Sequence, residues 1–138
     1  MGLKFAFFRS FKGADTLLIW GNDDFDKLRD LFEHLSDGPI KSIDFKDTGY
    51  LKPVGPCSVI VSRTGMESGS LIITTHNSEA KIACCLTQAE LRRFSEKIDY
   101  LASDETIVAH QYLDTESVQP FQIMVARGEY PTGLNPDD

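Results

Sequence analysis

No apolar run in this chain approaches the roughly 20 residues that a membrane-spanning helix needs, so no transmembrane segment is expected. The N-terminal stretch MGLKFAFFRSFKG lacks both a full apolar core and a small-residue cleavage site, which argues against a secretory leader. Ala6 stands where a myristoylation signal wants Ser or Thr. Basic residues are in deficit, 14 against 21 acidic, and the formal charge of -7 repels a phosphate backbone. Nucleic acid is therefore an unfavoured partner. The one tight basic pair, Arg92-Arg93, shares its segment with Glu90, Glu96 and Asp99. Three cysteines, Cys57, Cys84 and Cys85, cannot all pair within one chain, and the vicinal two lie in a strand-like run where neighbours point to opposite faces. A reducing cytoplasm is the expected setting.

Motifs that carry chemistry are missing too. There is no GxSxG, HExxH, P-loop or GxGxxG. Cys84-Cys85 lacks the two-residue spacer of redox pairs and reads as small core residues. No cofactor and no metal site is expected.

What is present is a pattern of strands and helices. The clearest stretch runs over 81–115, strand then helix then strand. Thr87-Gln88-Ala89-Glu90 forms a capping box. Leu91, Phe94, Ile98 and Leu101 follow at helical spacing. An earlier stretch, 17–48, repeats the order. Asn22 serves as its expected N-cap, with Asp23, Asp24 and Asp26 where the helix dipole favours negative charge. Phe25, Leu28, Leu31, Phe32 and Leu35 form the apolar face, and Asp37-Gly38-Pro39 stops the helix. Phe25, Leu28, Phe32 and Leu35 lie 66 positions before the second stripe. Phe45-x-Asp47-Thr48 with Pro53 matches the spacing of Tyr112-x-Asp114-Thr115 with Pro120.

The expected fold is α+β: two pseudo-repeated ββαββ units, 3–61 and 70–126, joined by a small polar linker at 62–69, within a single domain. Their strands are expected to build one curved, mainly antiparallel sheet with both helices on one face. Residues 127–138 read as a loose acidic tail. One difficulty is visible in advance. The runs CSVIV, LIITT, IACCL and FQIMVA put apolar residues on both strand faces, while two helices cover one. Either the sheet folds back on itself or another chain covers it, and a homodimer is the expected answer.

Among candidate residues, His110, Tyr112 and Asp114 stand at alternate positions of one strand, where an imidazole, a phenol and a carboxylate share a face. The plain alternative is a solvated strand edge. In the first half Ile43 stands opposite His110, so any chemistry belongs to the second half. Trp20, at a strand end before the helix, is a core anchor or a pocket wall. Asp23, Asp24, Asp26 and Asp30 make the densest acidic surface and could meet a basic protein partner; helix capping followed by a solvated face is the simpler explanation of them. The leading expectation is a non-enzymatic cytosolic interaction protein, an acidic inhibitor or immunity-type module. Bacterial toxin-immunity proteins are similar in size and acidity, although no stretch carries a family motif. The competing expectation is a small-molecule-binding domain or enzyme with a pocket between the halves near His110, Tyr112 and Asp114.

Overall fold

The computed structural model describes residues 2–104, 106–115, 118–131 and 133–136. In chain order it contains β1 (Leu3–Phe11), β2 (Ala14–Gly21), α1 (Phe25–Asp37), β3 (Ser42–Asp44), a 3-10 turn (Phe45–Asp47), β4 (Leu51–Pro53), β5 (Cys57–Arg63), β6 (Ser70–His76), β7 (Glu79–Leu86), α2 (Gln88–Ala102), β8 (Ala109–Tyr112) and β9 (Gln122–Arg127). The fold is α+β, as the alternation of helical and strand periodicities requires.

The single curved sheet does not form. The strands divide into a five-stranded sheet, β4-β1-β2-β9-β8, and a four-stranded one, β3-β5-β7-β6. Both are mixed rather than mainly antiparallel. β2 runs parallel to β9 and β1 to β4 in the first, and β5 runs parallel to β7 in the second. Each N-terminal hairpin thus joins the last strands of the other half. β1–β2 lies beside β9–β8, and β7–β6 lies beside β5–β3. Strand pairing over such separations leaves no trace in local periodicity, which is why the expectation failed here.

One core gathers the inner faces of both sheets and both helices. Leu17, Ile19, Val59, Val61, Cys84, Leu86, Ile123 and Val125 contribute from strands. All eight helix residues at the 66-position displacement are buried in it. The helices lie antiparallel across one another: Asp37, ending α1, meets Gln88 and Arg92 at the start of α2, while Arg29 meets Ser95 and Asp99. Phe32 and Phe94 cross edge to face at 5.8 Å. The centre is closely filled, leaving only about 10 Å³ open among apolar side chains.

The α2 start follows its sequence signal. Thr87 Oγ1 accepts from Glu90 N (3.1 Å), and Glu90 Oε1 accepts from Thr87 N (2.9 Å). The α1 start does not. Its N-cap is Asp24 rather than Asn22, held at φ 68 with no side-chain capping bond. The helix opens two residues later than Asn22 would place it, so that Phe25 enters the core at its first position.

The two-faced strands are resolved differently in the two sheets. On β2 and β9, Leu18, Trp20, Met124 and Ala126 face outward and form a second cluster with Ala6 and Phe8. Tyr130 and Leu134, from the residues after β9, pack over it. Gly128 N donates to Gly21 O, and Trp20 Nε1 donates to Pro131 O at 3.0 Å. The described part of the expected tail is therefore held against the sheet, while Asp137 and Asp138 lie outside the described residues. On the four-stranded sheet the outward positions are mostly small or polar, with Ile60 and Ile72 exposed among them.

Candidate functional site

Two side-chain groups follow from this frame. The first lies on the outer face of the five-stranded sheet. β8 pairs with β9 so that His110 stands beside Ala126 and Tyr112 beside Met124, and the strand's period of two turns both rings outward. Their centroids are 5.3 Å apart at 82°. Glu129, just past β9, supplies a carboxylate 2.8 and 3.0 Å from His110 Nδ1. An ionised carboxylate only accepts, so Nδ1 is the donor of this bond. Lys12, in the β1–β2 turn, completes the group. Its pKa is raised by a hydrogen bond with Tyr130, with Glu129 and Tyr112 adding attraction. Its Nζ lies 5.4 Å from the centre of the Tyr130 ring.

Asp114 is not part of this group. β8 ends at Tyr112, and the alternation that would place residue 114 on the same face ends with it. Asp114 Oδ2 lies 3.9 Å from Lys97 Nζ, on the α2 side, and its carbonyl accepts from Arg93. Trp20 is fully buried beneath the C-terminal segment, in the cluster against which Tyr112 packs. The centre between the halves, where the competing expectation put a pocket, is the filled core, while a cavity of about 450 Å³ bounded by Phe7, Arg9 and Cys57 from one half and Thr75, Ser78 and Ala80 from the other has none of His110, Tyr112 or Asp114 in its lining. A carboxylate-oriented imidazole has the form of a general base. Among the described residues no group of three or more His, Cys, Asp or Glu side chains is arranged to hold a metal.

The second group lies at α1. Asp23 and Asp26 are exposed. Asp24 Oδ1 lies 3.5 Å from Lys27 Nζ, and Asp30 accepts from Arg29 Nε at 3.1 Å. Asp30 also borders a groove of about 410 Å³ between α1 and the 3-10 turn. Leu31, Leu35, Ile40 and Ile43 give this groove apolar walls, and Asp47 and His34 stand with Asp30 around them. Tyr50 closes one end, its hydroxyl donating to Lys27 O at 3.0 Å. Burial raises the Tyr50 pKa above its ordinary value, and the carboxylates of Asp30, Asp24 and Asp26 raise it further. The groove can take an apolar side chain whose neighbours are cationic.

Sequence reasoning singled out His110, Tyr112 and the four aspartates but missed Glu129, Lys12, Tyr50 and Ile40. Glu129 fell in a segment read as tail. Ile40, an apolar residue immediately after a helix stop and 59 % exposed here, was the one available signal for the groove.

Compared with protein-family models, with curated proteins and with solved structures, the chain matches none significantly. No helix among the described residues is long and apolar enough to cross a membrane.

Proposed function

We propose that this chain is a non-enzymatic, cytosolic interaction module of the acidic inhibitor type, binding a basic protein through the N-terminal end of α1 and the groove beside it. The observation that carries the reading is the groove itself. Apolar walls flanked by Asp30 and Asp47, next to Asp23, Asp24 and Asp26, are complementary to an apolar side chain set among Lys or Arg. The test is capture from extract of the source cell on immobilised protein, against a variant with Asp23, Asp26, Asp30 and Asp47 all changed to Asn. A basic protein retained by the wild type, lost on the variant and released by salt is the expected result. Equal capture by both removes the reading.

The module is built, on this reading, as a diverged tandem of ββαββ units whose last strands exchange sheets. Its support is internal. Arg63, ending β5, donates to Leu35 O at the end of α1; Arg127, ending β9, donates to Leu101 O at the end of α2. Thr64 N donates to Leu86 O just as Gly128 N donates to Gly21 O.

A second reading rests on the His110–Glu129 pair: a small-molecule site on the outer face of the five-stranded sheet. A metabolite panel screened by thermal shift separates the two. A compound that stabilises the wild type but not His110→Gln, with capture of protein unaffected by the Asn variant, favours the second.

A further inference from the structure

The two sheets have four edges, and three of them are guarded. β3 is three residues long, β4 is three residues long and ends in Pro53, and β8 is four residues long. Short strands and proline are the ordinary means of blocking strand-to-strand association. β6 has neither. It runs seven residues, Ser70–His76, borders the four-stranded sheet, and pairs with β7 along its whole length on one side. Among the described residues no strand pairs with its other side. SLIITTH contains no Lys, Arg, Asp, Glu, Pro or Gly, and five of its seven residues are exposed.

The fold itself shows what such an edge accepts. β1 holds the corresponding place in the five-stranded sheet, as first strand of its hairpin, and the start of its outer edge, Leu3 to Phe5, is occupied by β4. Leu3 N donates to Tyr50 O, and Val54 N to Phe5 O. β4 comes from the 12 residues between β3 and β5. The 9 residues between β8 and β9 provide no strand among those described, and β6 is left open.

We propose that β6 pairs antiparallel with β6 of a second copy of this chain, joining the two four-stranded sheets into one. The strand is complementary to itself. Centred on Ile73, the pairing sets Ile73 against Ile73, Ile72 against Thr74, Leu71 against Thr75 and Ser70 against His76. Residues 71, 73 and 75 then share the core face and 70, 72, 74 and 76 the outer face in both copies, so no side chain changes sides. No like charges oppose each other, which matters for two chains of net charge -7 whose acidic residues crowd α1 rather than this edge. About six to eight main-chain hydrogen bonds form across the axis. On the outer face Ile72 already aligns with Ala83 and Ile60 in one row across three strands. Pairing brings the two Ile72 side chains within diagonal reach and merges both rows. The contact is independent of the α1 groove.

The experiment is light scattering coupled to size exclusion on the full chain. Wild type and Ile60→Lys, which lies on the same face but away from the axis, are expected at twice the mass of a single chain. Ile72→Lys/Thr74→Lys and Ile72→Glu/Thr74→Glu change exposed residues only. Each alone is expected at single-chain mass, and a one-to-one mixture is expected to return to the doubled mass through opposed Lys and Glu. Hydrogen exchange needs no substitution, and amides of 70–76 are expected to slow as concentration rises. A wild type at single-chain mass throughout overturns the proposal. So do charge variants that stay dimeric or fail to recombine, and so does exchange in 70–76 that ignores concentration.

Discussion

Replacing Arg63 by Met removes a cation from the end of α1 while keeping a side chain of similar reach along its stem. Arg63 Nη1 lies 2.9 Å from Leu35 O, 3.1 Å from Ser36 O and 3.1 Å from Gly38 O, three carbonyls at a terminus where the helix provides no donors of its own. One nitrogen has two hydrogens, so the three contacts amount to no more than two well-formed bonds. A bond from a charged donor contributes about 1.5–3 kcal/mol, and the favourable position at a helix C-terminus about 0.3–1 kcal/mol more. Because Arg63 is only half-buried, water recovers part of this, and the expected loss is about 2–4 kcal/mol. Arg63→Lys keeps the charge and a single-point donor and should lose about 1 kcal/mol. Urea unfolding followed by circular dichroism gives both values, provided the denaturant slope is unchanged. Arg127 offers an internal comparison. It is 6 % exposed, donates to Leu101 O at 2.6 Å and lies 5.2 Å from the Phe25 ring centre. Arg127→Met should therefore cost at least as much, about 3 kcal/mol or more. If Arg63→Met unfolds within about 0.5 kcal/mol of wild type, the range of an ordinary surface substitution, the capping argument is wrong.

Trp20 is the only tryptophan, and Tyr130→Ala should loosen the segment above it, shifting its emission to the red by day-to-day reproducible nanometres while the unfolding midpoint falls modestly; unchanged emission would show that the segment does not depend on Tyr130. Burial pushes the Cys84 thiol up to about 12 and Cys57 up to about 11 from an ordinary 9.0, so both should resist alkylation at pH 8 in the folded chain, and mass spectrometry finding Cys84 modified without unfolding would contradict this. The same shifts set a pH dependence. The unfolded thiols ionise first, so folding stability should decline as pH climbs from about 9 towards 12, and a shallower decline for a Cys84→Ala variant, in which Cys57 and Tyr50 still contribute, identifies the Cys84 share, whereas an unchanged slope refutes it. Gly69→Ala should cost about 1–3 kcal/mol in thermal unfolding, because an added Cβ would meet Cys85 O at 2.6 Å and press on the Glu90 carboxylate of the capping box.

The parts of this fold legible in the sequence were those specified over a few residues. Both helices announced themselves through period 3.6, and Thr87 and Glu90 marked one start to the residue. The partition into two sheets was not legible, because it depends on β2 meeting β9 and β5 meeting β7, and an apolar run records that a strand is buried without recording its neighbour. FQIMVA did reveal that both faces of β9 are covered, yet the cover for Met124 and Ala126 came from Tyr130 and Leu134, in residues read as tail on their polar content. Glu129 was lost to the site for the same reason.

The comparison between halves shows how far local spacing can carry and where it fails. The shared spacing of Phe45-x-Asp47-Thr48 and Tyr112-x-Asp114-Thr115 aligns Phe45 with Tyr112. Phe45, however, is buried in the main core, whereas Tyr112 packs on the outer cluster of the five-stranded sheet. The residue buried in the main core at this point of the second half is Leu113. Sheet register gives the same answer. Ile43 pairs with Val61 and Gln111 with Val125, both valines face the main core, and Ile43 and Gln111 each stand two residues before the Phe45 or Leu113 that enters it. The motif alignment is one residue out of step, and in a strand one residue exchanges the faces. On the proposed tandem, His110 then corresponds to Ser42 rather than Ile43. Both are outward positions, so a histidine there required no exchange of core for polar side chain, and what distinguishes it is the Glu129 carboxylate that the segment after β9 brings to its ring.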